Sequence, residues 1–147
     1  MIIRKRGKEL PPPLSGIKRV KSMVILGITI TDDLRASNHV DSVIASCSQS
    51  MYALRVLKAH GLPAAALHTV TRATTIARLL YASPAWWGLT IEKDRSRLDK
   101  LYTRIKRMNY LPDNAPPFPS LVGKADERLF RSIELKRPYI QTPAQGT

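Results

Sequence analysis

The 147-residue chain has a single cysteine, Cys47, which excludes an intramolecular disulfide framework and any zinc site built on several thiolates. Acidic residues are few, with 11 Asp and Glu against 24 Lys and Arg, for a net charge of +13. Such a surplus attracts polyanions, either nucleic acid or an anionic surface, unless it is only a solvated basic face. No run approaches the roughly 20 apolar residues of a membrane span, so no membrane partner is expected. The N-terminal MIIRKRGKELPPPL lacks the apolar segment of a secretory signal. P-loops, Gly-x-Gly-x-x-Gly turns and Gly-x-Ser-x-Gly elbows are also missing. What remains is the expectation of a soluble intracellular chain, cytoplasmic or nuclear, with one modest core from its 44% hydrophobic residues. The runs RKRGK (4–8) and KRVK (18–21) are compatible with nuclear import.

The chain reads as mainly α, with a basic, proline-rich and disordered arm over 1–17, because Pro11, Pro12 and Pro13 cannot join a helix interior or a central strand. Residues 18–35 read as a short buried strand, or as a hairpin bent at Gly27, rich in β-branched residues from Val20 to Ile30. Over 36–110 the pattern is a small antiparallel three-helix bundle. The first helix spans 38–60, with Ser37 as N-cap, an apolar stripe of Val40, Val43, Ile44, Cys47, Met51, Leu54 and Leu57, and Gly61 closing it. The second starts with Pro63 in its first turn and carries Leu67, Val70, Ala73, Ala77, Leu80 and Tyr81. It should stop at Ser83, ahead of Pro84, and SPAWWGLT follows as a hinge. The third opens at Thr90 or Glu92 and buries Ile91, Leu98, Leu101, Tyr102, Ile105 and Met108. Residues 111–147 then read as a proline-rich connector, a short helix near 126–135 with Leu129, Phe130 and Ile133 inward, and a disordered tail.

Two acidic motifs invite a metal reading. Asp32 and Asp33 follow the strand as a two-metal pair would, yet no further carboxylate lies on a companion strand, and turn chemistry alone explains them. His39-Val40-Asp41 has the spacing of a facial iron triad, with His60 or His68 as a third ligand by default. Residues two apart on a helix point in different directions, so no metal site is expected. His60 suits a helix C-terminus, His68 a helix surface, and Cys47 the buried stripe as an inert thiol. No catalytic residue is assigned.

The basic residues carry the functional expectation. Lys18, Arg19 and Lys21 from the strand approach, with Arg95, Arg97, Lys100, Arg104, Lys106 and Arg107 from the third helix, are candidates for nucleic-acid backbone contact. Trp86 and Trp87 are either a stacking surface for bases or hinge packing.

In the same order along the chain, LGITI (26–30), the Asn38-His39-Val40 helix start, YALRVLKAHGL (52–62), RLLYASPAWWG (78–88) and RLDKLYTRIKRM (97–108) make residues 18–110 resemble a known segment. It is the segment that follows the catalytic core in reverse transcriptases of non-LTR (LINE-type) retrotransposons. The resemblance implies a primer-grip hairpin and a thumb that holds template and primer backbones. It also places the family's magnesium-binding aspartates in a palm upstream of the matched region, so Asp32 and Asp33 are not that pair. The palm and fingers would then be missing partners. The expectation is a non-catalytic fragment that binds nucleic acid without a cofactor of its own. Alternatives are an inert degenerate remnant, and a module resembling the N-terminal part of AlkB-like alkylation-repair proteins, a family of iron and 2-oxoglutarate dioxygenases.

Overall fold

The computed structural model describes Ile3, Pro11, Pro12 and residues 14–136. Most of the expected arm, and the tail beyond Lys136, lie outside the described residues. The fold is mainly helical, with an N-terminal hairpin ahead of the helices.

The hairpin pairs β1 (Ser22–Ile25) with β2 (Ile28–Thr31) in antiparallel register, Ile25 opposite Ile28 and Ser22 opposite Thr31. Its two-residue turn has positive φ at both Leu26 (50°) and Gly27 (79°), the handedness that matches the right-handed twist of the strands. The expected buried strand is corrected here. β1 is exposed along its whole length, while β2 buries Ile28 and half-buries Thr29, Ile30 and Thr31, because only β2 lies against the first helix. The Tyr81 hydroxyl donates to the Leu26 carbonyl at 3.3 Å and ties the turn to the bundle.

Helix α1 (Ser37–Ala59) buries Val40, Val43, Cys47, Met51 and Leu54 along one face, as its three- and four-residue spacing requires. Its N-cap is Ala36 and not Ser37, whose hydroxyl is drawn away to a carboxylate on another helix. At the C-terminus Gly61 takes φ 82°, its N–H bonds the Lys58 carbonyl, and the Leu62 N–H bonds the Leu57 carbonyl. Together these satisfy carbonyls that the helix end would otherwise leave open.

The second helical segment departs from its expected register. Pro63 is the N-cap of α2 (Ala64–Thr71), a π turn follows over Arg72–Ile76, and α3 (Ala77–Leu80) ends before Ser83 is reached. The buried positions are Leu67, Thr71, Thr75, Ile76 and Leu79, whereas Ala73, Ala77 and Tyr81 are exposed. Threonine hydroxyls make the polar burial tolerable: Thr71 Oγ1 donates to the Leu67 carbonyl at 2.8 Å. A turn with Ala82 at φ 49° leads to α4 (Ser83–Trp86), where Pro84 sits in the first turn, and a 3-10 turn over Trp87–Leu89.

Helix α5 (Glu92–Arg107) buries Leu98, Leu101, Tyr102 and Ile105, with Asp94 and Glu92 at its positive N-terminal end. Helix α6 (Phe118–Lys136) begins inside the expected connector. It inserts Phe118 and Val122 into the core, joined there by Tyr110 and Leu111, so the core does not stop at residue 110. Leu129, Phe130 and Ile133, expected inward, are 46%, 71% and 53% exposed, because α6 continues past the body it packs on.

Candidate nucleic-acid interface

An aromatic chain fixes how the helices meet. His39 on α1 lies edge-on to Trp86 with ring centroids 5.1 Å apart, Trp86 meets Trp87 at 6.1 Å, Trp87 meets Phe118 at 5.7 Å, and Phe118 meets Tyr102 at 5.6 Å. Trp86 is fully buried and its Nε1–H donates to the Tyr81 carbonyl at 2.9 Å, so its ring is closed to a base. Trp87 is half-buried, and the Arg95 guanidinium lies 5.3 Å from its centroid. The tryptophans are packing groups at the corner between α3 and α5.

The basic residues divide into two sets by what they touch. Arg95 Nε–H donates to Thr90 Oγ1 at 3.0 Å while the guanidinium covers Trp87. Arg97 pairs with Asp41 at 2.7 Å and Asp94 at 3.3 Å, and the bond to Asp41, with help from Asp94, pushes its pKa further up. Lys106 Nζ donates to the Ala115 carbonyl at 2.9 Å, and Tyr102 donates its hydroxyl to the Pro116 carbonyl at 2.6 Å, which pins the loop ahead of α6 onto α5. Arg19 reaches the Pro11 carbonyl. Arg95, Arg97 and Lys106 brace the packed body, while Arg19 is tied only to the exposed arm.

Lys18 and Lys21 beside the hairpin, and Lys100, Arg104 and Arg107 on α5, are exposed and have no ion-pair or hydrogen-bond partner among the described residues. At about 100° per residue, positions 100, 104 and 107 fall on one side of the helix, and exposed Lys93, two turns earlier, shares it. The side chains that the bundle does not use therefore form a positive row along α5. Sequence patterning names the basic residues of the helix, but only packing separates the row from its structural neighbours.

The candidate metal motifs resolve into structure. Thr31 Oγ1 donates to Asp33, the Asp33 carboxylate pairs with Arg35 Nε at 2.9 Å, and the Asp32 N–H bonds the Lys21 carbonyl, which together close the turn after β2. Asp41 is engaged by Arg97. His39 is 6% exposed, burial pushes its pKa down, and its Nε2 has no partner among the described residues. His60 caps α1 with Nδ1 2.8 Å from the Val56 carbonyl, and His68 is half-buried on α2. Cys47 is fully buried, with its thiol pushed up to about 11 by burial, against a small opposing effect of Arg78. Among the described residues no three His, Cys, Asp or Glu side chains gather in one place, and no helix is long and apolar enough to cross a membrane.

A feature that sequence patterning missed lies between α1 and α5. A groove of about 170 Å³ is lined by Ser48, Met51, Tyr52, Arg55, Arg104 and Met108. Tyr52 is 69% exposed. An exposed tyrosine three residues before an arginine on a helix is a weak signal by itself, which is why the groove had to come from the packing.

Comparison of the chain with protein-family models, with curated proteins and with solved structures finds no match.

Proposed function

We propose that this chain is a non-catalytic nucleic-acid-binding unit, similar to the thumb of a non-LTR reverse transcriptase, that grips a template or primer backbone along α5. The observation that carries the reading is the row of Lys93, Lys100, Arg104 and Arg107, exposed and unpaired among the described residues, on a chain of net charge +13. Unpaired guanidinium and ammonium groups along a rigid helix neutralise phosphates without first breaking internal bonds. Lys18 and Lys21, ahead of the hairpin, are further exposed cations without a partner among the described residues. In this reading the palm that would supply magnesium chemistry belongs to a separate segment or partner.

The test is a titration of the chain against a primer–template duplex at several salt concentrations. Neutralisation of four phosphates gives a slope of log affinity against log salt of roughly −3.6. No binding at low salt removes the reading.

A second reading, an inert remnant that self-associates, is favoured by the exposed apolar residues Val24, Ile25 and Leu26 of the hairpin and by Phe130 on α6. A monodisperse monomer that melts cooperatively overturns it.

A further inference from the structure

Ser48, Tyr52 and Arg55 lie on one face of α1 at spacings of four and three, and Arg104 in the last turn of α5 and Met108 at its C-cap line the same groove. Its floor is Met51, which is 6% exposed, together with the half-buried Met108. Thioether side chains give an apolar, polarisable base that adapts to a flat ring. The groove is also lined by the exposed Tyr52 and by Arg55 and Arg104, neither of which forms an ion pair among the described residues. Two arginines lining one groove without an ion-pair partner among the described residues favour an anion between them.

The size and chemistry select the occupant. At about 170 Å³, against the roughly 300–1,000 Å³ of sites that enclose whole cofactors or drug-sized ligands, the groove contacts only part of a ligand whose remainder lies outside it. An acidic peptide would satisfy the arginines but leave the tyrosine ring without a flat partner. A nucleotide satisfies both, since its base has a π face and its phosphate a charge. Duplex bases are stacked on their neighbours and unavailable, so the fitting partner is an unpaired nucleotide. Arg104 belongs both to this groove and to the positive row on α5, so a strand can pass from one to the other without a gap.

We propose that the groove between α1 and α5 is a single-nucleotide subsite in which an unpaired base stacks on Tyr52 and its phosphate lies between Arg55 and Arg104. This rests on the nucleic-acid reading above and adds to it a preference for single-stranded segments.

Fluorescence anisotropy of the full chain tests it with three labelled probes of equal length: a mixed-sequence single strand, an abasic single strand of equal charge, and a blunt duplex. Tyr52→Ala is expected to weaken binding of the base-bearing strand about tenfold, and to leave the abasic strand and the duplex unchanged. Tyr52→Phe, which keeps the ring, retains wild-type affinity and shows that lost binding is not lost folding. Arg55→Ala weakens both single strands alike, whereas Arg131→Ala on α6 changes neither. Equal wild-type affinity for base-bearing and abasic strands, unaltered by Tyr52→Ala, overturns the subsite but leaves backbone binding by α5 intact. Failure of the wild-type chain to bind any probe at low salt overturns both. Displacement of the base-bearing strand by poly-glutamate at equal charge concentration also overturns the subsite, and makes the groove a general polyanion contact.

Discussion

Ser37, in the first turn of α1, donates its hydroxyl at 2.6 Å to Asp94, in the first turn of α5, although the two are 57 residues apart. Asp94 is 2% exposed and also holds Arg97 at 3.3 Å, while Arg97 reaches on to Asp41 of α1 at 2.7 Å. The N-terminal turns of two helices are thereby locked together by one carboxylate. Removal of the acceptor leaves a half-buried hydroxyl and a guanidinium short of partners, so Asp94→Ala should cost about 2 kcal/mol and Ser37→Ala about 1 kcal/mol. Urea denaturation of both single variants and the double variant checks this. A double variant whose loss equals the sum of the single losses would show that the two groups are not coupled.

The buried imidazole of His39 makes stability fall in mild acid. Its pKa is lowered in the fold by burial, so between that value and the ordinary 6.5 the unfolded chain binds a proton that the native chain does not. The contribution is complete above about 6.5, and stability declines as the pH drops from there toward the lowered native value. His39→Phe keeps an aromatic group against Trp86 and removes both the titration and the unpartnered Nε2. Urea midpoints measured from pH 7.5 to 5.5 should slope downward for the wild type and be flatter for the variant. Parallel profiles would assign the acid sensitivity elsewhere.

Gly61 has open space where a Cβ would go, so its role is purely conformational. An L-residue at φ 82° is strained whatever the room around it, and Gly61→Ala should cost about 1 kcal/mol. Gly88→Ala also meets nothing within 4 Å and lacks the positive φ, which makes it a matched control for chemical denaturation. Equal losses at both sites would mean that the C-terminal turn of α1 does not depend on glycine.

Charge reversal on α5 should separate binding from folding. Lys100→Glu, Arg104→Glu and Arg107→Glu together remove three exposed cations that have no ion-pair partner among the described residues, which should flatten the duplex salt slope by about 2.7 while leaving the melting temperature close to that of the wild type. Arg97→Glu breaks the pairs with Asp41 and Asp94 and should behave in the opposite way, lowering the melting temperature more than it changes the slope. If both variants melt early, the exposed row is also structural and the division drawn above fails.

Local chemistry alone determined much of this molecule. Helical spacing in 38–60, the glycine stop at Gly61, the turn-forming aspartates at 32–33 and the basic character of α5 were all legible, because each depends on neighbours a few residues away. Packing alone decided the rest. Thr71 and Thr75 fall outside the apolar stripe expected of this helix, yet the π turn carries both inside and moves Ala73 and Ala77 out, with the Thr71 hydroxyl bonded back to the Leu67 carbonyl. Phe118 reads as part of a connector, yet its ring completes an aromatic chain contributed by four other parts of the fold, and Leu129, Phe130 and Ile133 are left exposed past the end of that contact. The same holds for the cations. Arg97 and Arg104 are both arginines on one helix, and only the positions of Asp41, Asp94 and Tyr52 make the first a brace and the second a surface contact. Spacing assigns a residue to a face, but what opposes that face is set by segments far away in the chain.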